Sequence, residues 1–255
     1  MVSLIFPSAL GSVSRKSRKG FSLVEILVVL SIASILSILV TTGLQSVLGT
    51  AYSSETSDIA NTLVRARAYA MANNTYVFVG IQEVDASQPS NGTQVPGTGR
   101  VGVTVVASND GTRIYSTAAP AALTPTYASS LTVVSPLRHF ENVHLTTTPV
   151  TGTLPNTGNT AQYNAANASG ASLTTFTWPL TGTAQYTFGN NPGTVIQFSP
   201  QGEAQVTQAN SDSVLQWIEI DLVPTHGSNI SATSSKNAAT ILIDGPSGNV
   251  STYRS

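Results

Sequence analysis

From Phe21 to Gly49 the chain is an almost unbroken apolar run in which Glu25 is the only formal charge. At about 1.5 Å per residue, Phe21 to Leu48 makes roughly 42 Å of helix, enough to cross a hydrocarbon layer of about 30 Å once. Further along, the apolar positions thin to a stripe. Ile59, Leu63, Ala66 and Ala70 recur at steps of four, three and four among Ser, Thr, Asp and Arg, the period of an amphipathic helix. No proline interrupts residues 21 to 75. One helix is therefore predicted from Ser22 to about Ala72, weakest at Gly43 and Gly49, with Asn73-Asn74 as its stop.

The period then shortens to two. Alternating or β-branched runs at residues 75 to 83, 101 to 107, 112 to 116, 131 to 135, 194 to 199, 203 to 207, 214 to 223, 239 to 244 and 249 to 253 predict strands. Turn signals at Asn109-Asp110-Gly111, Ser199-Pro200-Gln201-Gly202 and Asp244 to Asn249 favour antiparallel hairpins. Residues 84 to 100, about 146 to 172 and 225 to 237, rich in Ser, Thr, Asn, Gly and Pro, read as loops. The expected fold class is α+β, an antiparallel sheet packed on the exposed half of a long N-terminal helix. The expected organisation is a leader at 1–20, a membrane span at 21–49, an amphipathic continuation at 50–74 and a β-rich head at 75–255.

Composition narrows the setting. Charged residues are 9% of the 255, against about a quarter in an average soluble protein, and Ser, Thr, Asn and Gly crowd the second half. This is the profile of an extracytoplasmic β-protein. Arg15, Lys16, Arg18 and Lys19 lie just before the apolar run, so the positive-inside rule puts the leader in the cytoplasm and residues after about 50 across the membrane. Beyond Gly20, seven basic residues face twelve acidic ones, a balance that speaks against nucleic acid as a partner. The absence of cysteine excludes disulfides, thiolate nucleophiles, Cys-ligated zinc and iron–sulfur clusters.

Glu25 needs a reason, since a carboxylate in a membrane segment costs roughly 2.5 to 3.5 kcal/mol at the centre and less near an end. One reason is local: Ser22-Leu23-Val24-Glu25 has the spacing of a capping box. A second is suggested by the whole string Arg18-Lys19-Gly20-Phe21-Ser22-Leu23-Val24-Glu25 and the apolar helix behind it. It resembles the class III signal of type IV pilins and type II secretion pseudopilins. That resemblance implies a prepilin peptidase cutting between Gly20 and Phe21 and methylating the new N-terminus at Phe21. It implies that Glu25 pairs with the N-terminal amine of a neighbouring subunit during assembly. It also implies the inner membrane, an assembly platform and other pilin or pseudopilin subunits as partners. Residues 60 to 82, an Arg-Ala-rich helix end followed by two asparagines and a strand, more loosely resemble the H-type minor pseudopilins. Residues 1 to 14 add a short apolar piece that departs from the family pattern. An ordinary signal peptide cut near Val47-Leu48-Gly49 is the competing reading of the same basic-then-apolar grammar.

Candidate chemistry in the head is sparse, and no catalytic residue, metal site or cofactor is expected. Gly97 to Gly102 has the dinucleotide-binding spacing but opens a strand rather than a helix. His139 and Glu141 would share a strand face with His144 on the other, which reads as surface or half-buried histidine rather than a ligand set. Glu83/Asp85 and Glu219/Asp221 each fall on one strand face and read as solvent-facing charge, with calcium as the functional alternative. Arg65 and Arg67 read as a solvated helix face. Sequons at Asn73, Asn91, Asn167, Asn229 and Asn249 arise by chance in so Asn- and Ser-rich a chain. The expected function is a structural, non-enzymatic filament subunit. A membrane-anchored binding module that never polymerises and an anchored hydrolase remain as alternatives.

Overall fold

The structure, a computed structural model, describes residues 21–111, 130–146, 162–164, 176–189, 193–206, 214–230 and 237–254, without the side chains of 38–51 and 162–164. The predicted leader, the predicted strand at 112–116 and most of the loop at 146–172 lie outside the described residues. The chain divides into two units, Met1–Val47 and Leu48–Ser255.

The helix α1, Leu23–Asn73, is 51 residues long, as the proline-free stretch predicts. It ends where expected, and the mechanism is visible. Asn74 takes φ 49°, and Thr75 N–H donates back to Ala70 O at 3.1 Å, so a left-handed residue closes the last turn. Within the first unit, the described apolar part of α1 is residues 23–37. Among the described residues no helix is long and apolar enough to cross a membrane, and the remainder of the expected span, 38–49, has no described side chains.

The second unit holds two main sheets where the sequence suggests one. The first has the order β3-β2-β1-β8-β9, formed by β1 (Val77–Asp85), β2 (Gly99–Ser108), β3 (Leu131–Glu141), β8 (Gly193–Phe198) and β9 (Ala204–Val206). All its pairings are antiparallel. The second sheet is built on β10 (Trp217–His226), which pairs with β11 (Asn229–Ile230), β12 (Ala239–Asp244) and β4 (Val143–Thr146), with β13 (Val250–Arg254) beside β12. A short strand β5 (Gln162–Asn164) adds to β10 in parallel, a departure from the all-antiparallel expectation. Predicted turns at Ser199–Gly202 and Asp244–Asn249 do join antiparallel hairpins, with Gly202 at φ 88° and Gly248 at φ 65° supplying the left-handed positions.

The predicted stripe of α1 is the centre of the main core. Ile59, Leu63, Ala66 and Ala70 are buried with Val77, Val79 and Ile81 of β1, Val101, Val103 and Val105 of β2, and the Ile218/Ile220/Leu222 face of β10. Polar contacts fix the helix in this bed. The Tyr52 hydroxyl donates to Leu222 O at 2.8 Å, and Arg254 donates to Ser53 O at 2.9 Å.

The opposite face of the first sheet carries a second, aromatic cluster. A hairpin of β6 (Phe176–Trp178) and β7 (Tyr186–Phe188) lays Phe176, Tyr186 and Phe188 against Phe78, Val84, Val106 and Val195. It gets close enough because two positions beneath it have no side chain. A Cβ on Gly80 would sit 2.5 Å from Phe188 and 2.7 Å from Phe176, and one on Gly102 would sit 2.6 Å from Tyr186. Gly80→Val or Gly102→Val is therefore expected to lower stability by about 1–3 kcal/mol through overpacking. Gly92→Val, whose Cβ would meet nothing within 4 Å, serves as the neutral control in the same thermal unfolding series.

Candidate processing and assembly site

At the start of α1 the sequence leaves an unusual surface. Every described residue from 21 to 37 is exposed, including Leu23, Val24, Leu27, Val29, Leu30, Ile32, Ile35 and Leu36. A helix that buries one face shows an apolar stripe, whereas this segment is apolar all round, the pattern of a helix surrounded by lipid or by other helices. Treated as a cylinder about 10 Å wide and 22 Å long, residues 23–37 present on the order of 700 Å². At 25 cal/mol per Å², covering it would release roughly 17 kcal/mol.

The polar groups in this stretch divide sharply. Ser31 donates its hydroxyl to Val28 O at 2.8 Å, Ser34 to Leu30 O, and Ser37 to Ala33 O at 2.8 Å. Hydroxyls turned back on the helix backbone in this way are already satisfied and can enter an apolar surrounding. Glu25 is different. It lies in the first turn, exposed, and its carboxylate has no hydrogen bond or ion pair among the described residues. The capping box suggested by the sequence does not form. The helix start is held instead by Ile26 N–H donating to the Ser22 carbonyl at 3.1 Å. Phe21, 77% exposed, precedes this turn, while Arg15, Lys16, Arg18, Lys19 and Gly20 lie outside the described residues.

The head's candidates resolve differently. Gly97 to Gly102 does open β2, and a Cβ on Gly99 would strike Gly227 O at 1.9 Å, so this glycine serves a close backbone crossing and not a phosphate. His139, on β3, stacks on Tyr186 with ring centroids 5.7 Å apart. Burial, helped by the nearby Arg100 charge, pushes its pKa down. Asn142, at φ 60°, breaks the strand between Glu141 and His144, which sits on β4 with Nδ1 2.9 Å from Glu83 Oε1. Among the described residues no group of three or more His, Cys, Asp or Glu is placed to hold a metal. Arg65 is exposed as expected, whereas Arg67 is half-buried and donates to Gly202 O at 3.3 Å.

The acidic pairs correct the sequence reading. Glu83 is fully buried and accepts from Gly99 N–H at 2.9 Å and Leu145 N–H at 3.2 Å as well as facing His144, so it ties β1 to β4. Glu219 and Asp221 are also buried, with Thr240 donating its hydroxyl to Asp221. Only Asp85 behaves as a surface carboxylate, its pKa held down by the Ser87 amide. Both faces of β1 and β10 are covered, and alternation along a strand does not reveal that. Arg100 was likewise invisible as an organiser. Nearly buried, it donates to Glu141, Gln88 O, Ala86 O and the Gln94 side chain, which orders the loop at 86–98.

Residues 15–41 match the family model of the prokaryotic N-terminal methylation motif. The match takes in the basic cluster, Gly20, Phe21 and Glu25, and ends before the head begins. The chain thus carries the processing signal of type IV pilins and pseudopilins at its N-terminus and is pilin-like in that part. No curated protein and no solved structure matches it.

Burial, aided by the neighbouring Asp221 charge, raises the Glu219 pKa to about 7 from 4.5. The folded head then holds a proton that the unfolded chain has released, so this contribution to stability is full below about pH 4.5 and is lost as pH rises through about 7. Glu219→Gln is expected to stabilise the protein at pH 8 by at most roughly 3 kcal/mol and to change little at pH 4.5, as read by denaturant unfolding at the two pH values.

Proposed function

We propose that this protein is a structural subunit, a minor pilin or pseudopilin, of a type IV pilus-like or type II secretion-like filament. In this reading a prepilin peptidase removes residues 1–20 between Gly20 and Phe21 and methylates Phe21. The mature chain stays in the inner membrane by a single pass through residues 21–49, with its N-terminus on the cytoplasmic side and the β head across the membrane. An assembly platform then moves it into a filament in which the N-terminal helices of many subunits cover one another's apolar surface. The head does no chemistry in this role.

The observation that carries the reading is the division of polar groups in residues 23–37: every hydroxyl satisfied within the helix, and one carboxylate left over, at the fifth residue of the mature chain. Cleavage after Gly20 creates the missing counterpart, an ammonium at Phe21. A carboxylate and an ammonium in an apolar surrounding gain far more from pairing than they would in water, and removing one partner of such a pair costs about 3–5 kcal/mol. An incoming subunit shifted along the fibre axis would leave both charges alone, so the pair sets register.

Mass spectrometry of the N-terminal peptide from native membranes is expected to find N-methylated Phe21, and the full precursor when prepilin peptidase is deleted. A mature start near Thr50 would make it a secreted β-protein, and an uncut chain would make the helix a plain anchor. Glu25→Ala is expected to be cleaved normally yet to be missing from sheared or purified filaments. Incorporation equal to wild type would remove the register role.

A further inference from the structure

The helix of the head meets the edge strand β3 through charges that do not balance. Arg138 of β3 donates to Asp58 of α1 at 2.7 Å, and its guanidinium lies over the Phe140 ring, 5.2 Å from the centroid. Arg100 of β2 donates to Glu141 at the end of β3 at 2.6 Å. Each cation has its carboxylate. Glu55, less than one turn before Asp58, is a third acid with no cation assigned to it. Its Oε2 is buried and has no hydrogen-bond partner among the described residues. The charges that act on it are carboxylates, Glu141 from β3 and Asp58 from its own helix, with the Glu141 backbone amide as the one offset.

We propose that Glu55 is a proton-operated latch on the joint between α1 and β3: neutral, it closes the joint, and ionised, it sets a third negative charge beside Glu141 and Asp58 and the joint opens more often. The strand it holds is an edge strand. β3 is at the edge of its sheet, bonded among the described residues to β2 alone, and its register slips twice, between Val103 and Val105 and between Val105 and Val106. Such irregular edges are where local opening begins. Burial raises the Glu55 pKa to about 7 from 4.5, with the Glu141 and Asp58 charges adding to the rise. The closed joint therefore retains its proton to higher pH than the open one. Closure weakens as pH climbs from about 4.5 to about 7 and levels off above that.

Hydrogen exchange with mass spectrometry on the full chain in detergent micelles, at pH 5.5 and pH 8 and corrected for intrinsic exchange, tests this. In wild type, peptides covering 52–62 and 131–141 are expected to open about tenfold more, or greater, at the higher pH. Glu55→Gln should match wild-type protection at pH 5.5 and lose the pH response, while Glu219→Gln should keep it. A wild-type joint indifferent to pH, or a Glu55→Gln joint that responds like wild type, overturns the proposal. If Glu55→Gln is poorly protected at pH 5.5, Glu141→Gln decides the matter. Removing the facing charge should move the transition to lower pH, and an unmoved transition also overturns the latch.

Discussion

The burial of one face of α1 against both sheets is the contact on which the head depends. Ile59, Leu63, Ala66 and Ala70 share a single core with the inward faces of β1, β2, β8, β10 and β12. Two sheets that each need a cover for an apolar face find the same helix. Polar links add to this shared cover, such as Glu83 to His144 and Leu145 and Ala204 N–H to Gly245 O at 2.8 Å.

Polar side chains then fix what the apolar contact leaves loose. Tyr52 reaches the β10 backbone, Arg254 reaches α1 from the last strand, and Arg67 covers the turn at Gly202. Most of these are bonds from a side chain to a backbone carbonyl, which fix register without needing a second matched side chain. Glu55 is the exception in this set. It brings a carboxylate into the helix joint with no cation paired to it among the described residues, and in the proposed latch this makes that joint responsive to protons.

The N-terminal part of α1 obeys the opposite rule. It has no face, because its apolar residues run all round the helix, and its serines are folded back on the backbone. A surface of that kind is at odds with water and is suited to a surrounding of lipid or like helices. One carboxylate in such a place is an energetic liability unless something brings it a positive charge. Peptide cleavage is a way to make that charge at a defined distance.

Short-range properties were legible in the sequence. The helix, its end at Asn73-Asn74, most strands, two hairpin turns and the signal at residues 15–41 all rest on neighbours a few positions apart, through propensity, period and turn chemistry. Tertiary structure decided the rest. That β2 pairs with β3, that the strands divide into two sheets, and that a hairpin from residues 176–188 fits over Gly80 and Gly102 are all matters of partners distant in sequence. The same holds for Glu83, Glu219 and Asp221, whose spacing on alternate positions is identical for a wet face and a covered one. Only the segments packed above them determine whether a carboxylate meets water, and with it whether that carboxylate is surface charge or part of the interior.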